Sequence, residues 1–332
     1  MVGACARDDR AAPVVAAPHQ TVVEPARPTS TEAPAPSAHL QSVGPGFAEQ
    51  GPWVTFYGTA AEMGDLAKVS QTYRIIDIDA DPGADRKGNF SDAQIALLRG
   101  DGRNRVLSYL NLGACERFRT YWRRAPSGMV PCGENRAAML GTYADYPDET
   151  WMDLGNAEYR ALLLDFVAPR LAARGIDGFY LDNLEVAEHS AAGAPEGWCS
   201  PACRQGALDT VRGLRERFPG MLIVMQNATS DVTRLGSSGD YPFPALLDGV
   251  AHEEVYSPAF DAQAETELTA WRSLGLRSKN GDSFFVGVVD YVGGCANMAA
   301  ARTAYSRSRS HGFSPYASDA SGSQKVVCYW PF

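Results

Sequence analysis

A chain of 332 residues that is 45% hydrophobic and 21% charged holds enough apolar material for one large core. Its 39 acidic and 30 basic residues leave a net charge of −9, which argues against nucleic acid as a partner, because phosphate binding needs basic patches. Apolar runs stay well below the roughly 18 residues of a membrane-spanning helix.

In chain order, Val2-Gly3-Ala4-Cys5 comes first and resembles a bacterial lipoprotein box with Cys5 as the acylated residue. Too few residues precede Cys5 for the apolar core of a signal peptide, so either a longer leader lies upstream of Met1 or the match is accidental. From Ala11 to Pro45 the chain is rich in Ala, Pro, Thr and Ser without periodicity. Such a segment cannot bury enough surface to offset its ordering entropy. Residues 1–44 therefore read as a disordered Pro/Ala-rich linker ahead of a single domain over 45–332.

Short β-prone runs then alternate with helical ones. The strands are expected at 53–58, 73–80, 105–113, 176–183, 221–227, 247–256, 284–292 and 313–318. Between them, Ser91 is placed to cap one helix, and Asn156 to cap a long one that ends at Gly175 and should kink at Pro169. Further helical stretches start near Cys203, Asp261 and Asn297. Eight strands alternating with helices predict an α/β fold, a (β/α)8 TIM-type barrel. An open doubly wound sheet is the rival, but the glycine-rich phosphate turn that usually follows its first strand is missing from the sequence.

In such a barrel, strand ends build the active site. Polar residues recur there: Asp79, Asn111, Asp182 with Asn183, Asn227, Glu253 with Glu254, and Asp290. Any one of them reads equally well as a turn residue or cap. The set does not, because like charges gathered at one rim repel. Alternation puts Asp77 on the same face as Asp79. The spacing Asp77-x-Asp79-x-Asp81 is a weak calcium signal without an EF-hand pattern, and no metal or cofactor is expected.

Apart from Cys5 there are six cysteines, an even count that fits disulfides in an exported protein better than a zinc site at Cys199 and Cys203. Local pairing, 115–132, 199–203 and 295–328, is expected. Two carboxylates across a cleft are the equipment for glycoside hydrolysis. A serine nucleophile elbow is missing from the sequence.

The run YPDETWMDLGNAEYRALLLDFVAPRLAARGIDGFYLDNLEV (146–186) is similar to the central block of glycoside hydrolase family 114. SYLNLGACERFRTYW (108–122), the Gln226-Asn227 pair and DGVAHEEVY (248–256) resemble three of its other strands. The resemblance implies a (β/α)8 barrel with endo-α-1,4-polygalactosaminidase activity on a cationic, partly deacetylated amino-sugar exopolysaccharide. Asp182 and Glu253 would be the catalytic pair, since the family's acid falls four residues after the glycine of an Asp-Gly turn, here Gly249. Retention is then expected, with Asp182 as nucleophile and Glu253 as acid/base, its pKa raised by Glu254 and burial. Asp77, Asp79, Glu116, Glu185, Glu254 and Asp290 would bind sugar ammonium groups, helped by Asn111, Asn183 and Asn227. Tyr57, Tyr109, Tyr256 and Tyr291 either stack on sugars or simply pack, and Glu116 with Arg119 is either a rim feature or an i,i+3 surface pair. A monomer in the periplasm or at the cell surface, tethered if Cys5 is acylated, completes the expectation. A non-catalytic glycan-binding barrel and a metal-dependent hydrolase or deacetylase are its rivals.

If Cys5 is acylated, metabolic lipid labelling of the full-length gene product will depend on it. Unlabelled wild-type protein in a competent host would remove the tether.

Overall fold

The computed structural model describes residues 40–48, 50–81, 89–144, 146–189, 198–319 and 322–332. Cys5 and most of the expected linker lie outside them. Leu40–Gly44, assigned by composition to the linker, are docked: Ser42 N–H donates to Arg277 O and Val43 N–H to Ala245 O, both at 2.8 Å.

Eight parallel strands, β1 (Trp53–Phe56), β2 (Ile75–Ile78), β3 (Arg105–Asn111), β4 (Gly178–Asp182), β5 (Leu222–Gln226), β6 (Gly249–Glu253), β7 (Phe285–Tyr291) and β8 (Ser314–Ser318), pair in sequence order. This is the expected barrel, with helices in most of the strand connections. It is nearly closed: among the described residues β1 and β8 share no ladder. At the base of that seam Trp53 Nε1 donates to Ser314 O at 2.7 Å. At the top, Tyr57 N–H donates to the carbonyl of Gln324, from the tail beyond β8, at 2.8 Å.

Strand alternation sorts the interior into layers. The floor is aromatic, with Trp53 packed on Phe285, Tyr316 and Tyr180 at ring distances of 5.3, 6.2 and 6.4 Å. Gly287 makes room for it, since a Cβ there would sit 2.6 Å from the Phe285 ring. One step up each strand the same faces carry Thr55 and Asp77, both fully buried. Higher still come Asp79, Asp182 and Glu253. The carboxylates at the strand tips thus stand on an apolar plug.

Two local features differ from the sequence reading. The long helix does not simply kink at Pro169: it widens into a π-turn over Leu163–Val167 and restarts as Ala168–Ala172, with proline in the new first turn. Shifting the register before the proline absorbs its missing N–H. Between β3 and β4, the strands Ala114–Glu116, Met139–Thr142 and Glu149–Met152 form a small antiparallel sheet that was not anticipated. Three or four residues per strand are too short to show a period. This sheet sets Glu116 opposite Glu149, both at the barrel mouth.

The three disulfides are Cys115–Cys132, Cys199–Cys203 and Cys295–Cys328, the expected local pairing. They indicate an extracellular or periplasmic protein. Among the described residues no helix is long and apolar enough to cross a membrane. Alkylation of folded, non-reduced protein should leave all six cysteines unmodified by mass spectrometry. Several modified thiols would contradict the pairing.

Candidate active site

The cleft sits at the C-terminal ends of the strands. Asp182 ends β4, Gln226 ends β5 and Glu253 ends β6, so the glutamine stands between the two carboxylates. Gln226 Nε2 lies 3.3 Å from Asp182 Oδ1 and 3.0 Å from Glu253 Oε2. Those two oxygens are therefore at most about 6.3 Å apart, the path through the nitrogen, so the two carboxylates face one another across a single amide.

Glu253 is held by four donors. Oε2 also accepts from Asn227 Nδ2 at 3.0 Å, while Oε1 accepts from Gln324 Nε2 at 2.8 Å and from the Tyr291 hydroxyl. Asn227 returns the contact by accepting the Glu253 N–H at 3.0 Å, and its φ of 62° turns the chain back toward the carboxylate. Asp182 accepts from Gln226, from the Tyr109 hydroxyl and from the backbone N–H of Asn183. Burial, and then the nearby Glu253, raise its pKa. Glu254 follows in the left-handed region at φ 56°, exposed on the outer part of the cleft, so the two glutamates do diverge.

Asp79 and Glu116 reach the rim but are not free anions. Arg119 donates to both Asp79 oxygens at 2.8 and 3.0 Å and to Glu116 at 2.6 and 3.1 Å, and is itself buried. The Glu116–Arg119 pair is therefore a rim feature and not a surface one. Asp81 joins this network through Arg119 at 3.6 Å, while its other oxygen pairs with Arg170 at 2.7 Å. Asp77 does not line the cleft. Its Oδ2 meets the Tyr57 hydroxyl at 2.6 Å and Thr55 Oγ1 at 3.0 Å, and burial drives its pKa well up. The single Thr55 proton serves Gln324 Oε1, which only accepts, so a protonated Asp77 completes the other contact.

Asp290 and Tyr256 also fall outside the cleft. Asp290 accepts the N–H groups of Tyr256 and Ser257 and anchors the loop after β6, while Tyr256 stacks on Phe260 and His311. Asn111 braces the site from behind, and Tyr57 and Tyr109 form an edge-to-face pair with centroids 4.9 Å apart.

The structure adds residues that went unmarked in the sequence. Glu149 Oε2 accepts from Asn111 at 3.1 Å and Asn183 at 3.0 Å, and its pKa is pushed up to about 8 by burial, with Glu116 and Asp182 adding to it. Its signal was its place two residues before Trp151 in the family-like block. Glu185, which the sequence did mark, lines the cleft with its Oε2 unpartnered, and burial followed by Asp182 raises its pKa. Among the described residues, Asp182, Glu253, Glu149 and Glu185 form no ion pair with a basic side chain. Two adjoining cavities of about 410 and 690 Å³ share Tyr143, Tyr146, Asn227, Glu253 and Gly322 as walls, which makes one groove with the pair inside it. Phe118, Tyr146 and Phe260, each about half exposed, stand along it.

Residues 45–331 match glycoside-hydrolase family GH114. The chain belongs to this family. It is a glycoside hydrolase, as the paired carboxylates at the strand tips imply. An uncharacterized protein of Thermotoga maritima is 26% identical over 263 residues, 75% of each chain. One of Deinococcus radiodurans is 25% identical over 65% of this chain; the match spans just under two thirds, 64%, of that relative. The barrel is similar to the glycoside hydrolase domain of PelA from Pseudomonas aeruginosa, with a TM-score of 0.59 at 18% identity over 83% of this chain and 98% of that domain. It is likewise similar to Ega3 of Aspergillus fumigatus, solved in complex with galactosamine, with a TM-score of 0.56 at 18% identity over 83% and 93% of the two chains.

Replacing Arg119 by methionine leaves Asp79 and Glu116 buried without their counter-ion. Urea unfolding should show a loss of about 3–5 kcal/mol. An unchanged midpoint would mean that the carboxylates simply take up protons at no cost.

Proposed function

We propose that this protein is an endo-acting hydrolase of α-1,4-linked, partly deacetylated galactosamine exopolysaccharide. Asp182 is the nucleophile and Glu253 the acid/base. The observation that carries the reading is the Gln226 amide shared between two carboxylates at the tips of β4 and β6. In the first step Asp182 attacks the anomeric carbon while Glu253 gives its proton to the leaving glycosidic oxygen; in the second Glu253 takes a proton from water, which releases the sugar from Asp182. Of the four donors around Glu253, only the Tyr291 hydroxyl can also accept, so Oε1 has a partner in either protonation state.

The substrate class is supported by electrostatics. Asp182, Glu149 and Glu185, cleft carboxyl groups without basic partners, hold protons that isolated carboxylates would lose, through burial and mutual repulsion. Sugar ammonium groups would relieve that repulsion by charge-assisted hydrogen bonds. The groove continues past the reacting pair, and exposed aromatic faces stand along it, which supports cleavage within a chain. Asn183, Glu185, Asn227 and Glu254 line the groove and would contact that chain.

Asp182→Asn and Glu253→Gln should each lower turnover of partly deacetylated galactosamine polymer by several orders of magnitude, with polymer binding retained, while Glu254→Gln stays active. Mass spectrometry of the products checks the linkage and the internal cut. A dead Glu254→Gln beside an active Glu253→Gln would reverse the assignment on β6.

A nucleophile must be ionised, and Asp182 has a raised pKa, so activity is present above that pKa and lost as pH falls through it. The acid limb of kcat/KM should therefore lie well above the usual carboxylate value of about 4. Binding of galactosamine oligomers should release protons, because a bound cation lowers the pKa of its carboxyl neighbours. Calorimetry in buffers of different ionisation enthalpy measures this, and proton uptake would refute the cation-binding cleft.

A further inference from the structure

Gln324, on the tail after β8, enters the site from outside the barrel strands. It is 2% exposed, with a φ of 51°, a left-handed backbone that glutamine adopts only when its surroundings demand it. All of its polar atoms toward the barrel are used. The carbonyl accepts the Tyr57 N–H at 2.8 Å, and Oε1 accepts from Thr55 Oγ1. Nε2 lies 2.8 Å from Glu253 Oε1 and 2.9 Å from the Tyr291 hydroxyl oxygen. The Glu253 contact fixes the orientation of the amide, since a flipped group would turn its oxygen toward the carboxylate. Four residues on, Cys328 is bonded to Cys295, which follows β7 and its terminal Tyr291. The tail is thereby clamped to the element that carries the other partner of Oε1.

We infer that Gln324 is a positioning residue for Glu253. It spans the unpaired seam between β1 and β8, joins β1 to the tips of β6 and β7, and sets the orientation and proton affinity of the carboxyl that works as acid/base. This inference deepens the reading of Glu253 given above. Its consequence is directional. A donor aimed at Oε1 stabilises the anion, so removing it makes Glu253 hold its proton more tightly.

The test uses the full chain and the variant Gln324→Met, which keeps the length of the side chain and removes its donors. On partly deacetylated galactosamine polymer, kcat should fall roughly tenfold to a hundredfold, the effect of losing one or two hydrogen bonds to a charged group, with KM little changed. The alkaline limb of kcat should move to higher pH. A purely structural residue would lower Tm and leave that limb in place. If Gln324→Met does not fold, Gln324→Glu keeps the shape and the acceptor facing Thr55. It should move the limb further in the same direction by like-charge repulsion. Carbon-13 NMR titration of the Glu253 carboxyl in wild type and variant needs no substrate and should show the same upward movement. A wild-type enzyme inactive on the polymer, together with a titration that still moves, would sink the substrate reading and uphold the role of Gln324. A folded variant with an unmoved titration, or with kcat and its alkaline limb unchanged, overturns the inference.

Discussion

Repulsion between like charges at the mouth of the barrel is the constraint that shapes this site. Parallel strands bring every tip to one end, and the tips here are acidic. The fold accommodates the charge in three ways. Arg119 and Arg170 take up Asp79, Asp81 and Glu116 as buried ion pairs. Protonation takes up Asp77 and Glu149, where burial makes the charged form costly. Amide and hydroxyl donors take up Glu253, leaving an acceptor clamped from four directions. What remains is Asp182 and Glu185, where repulsion is not fully relieved, and on the proposed reading a cationic substrate has the most to contribute there.

The same constraint explains why so many neutral amides surround the pair. Gln226, Asn227 and Gln324 each place a donor on Glu253 without adding a cation. A lysine or arginine there would pair with the carboxylate and compete with the ammonium of the sugar. Neutral donors orient the acid and leave the field of the cleft negative. The arginines are kept one step away, on the side where β2 and the small antiparallel sheet meet.

The aromatic floor and the open seam are connected. Trp53, Phe285 and Tyr316 fill the base where β1 approaches β8, and this packing holds the sheet in a near-closed curve without a ladder across the gap. The top of the gap has no such filling. A segment from beyond the last strand covers it, and that segment brings its own polar side chain into the site. On the inference drawn from Gln324, closure of the fold and the positioning of Glu253 both depend on one residue of the tail.

Composition and periodicity by themselves determined the eight alternating strands, and with them the barrel, because strand order and polar tips are local properties of the chain. Resemblance over 146–186 added Asp182, and the four-residue step from Gly249 added Glu253. Alternation was the ground for separating Glu253 from Glu254, but β6 ends at Glu253 and it is the left-handed turn at Glu254, φ 56°, that carries this residue to the outer cleft. Partners that come from distant parts of the chain were not legible. Nothing local marks Gln324 as a neighbour of Glu253, 71 positions earlier, or Glu149 as one of Asn183. Nor could residue type alone show that Asp77 is buried under the cleft, that Asp290 caps a loop, or that Asp79 and Glu116 are already spent on Arg119. Whether a carboxyl is a charged ligand, a neutral acid or half of an ion pair is set by what packs around it, and only the tertiary structure brings those neighbours together.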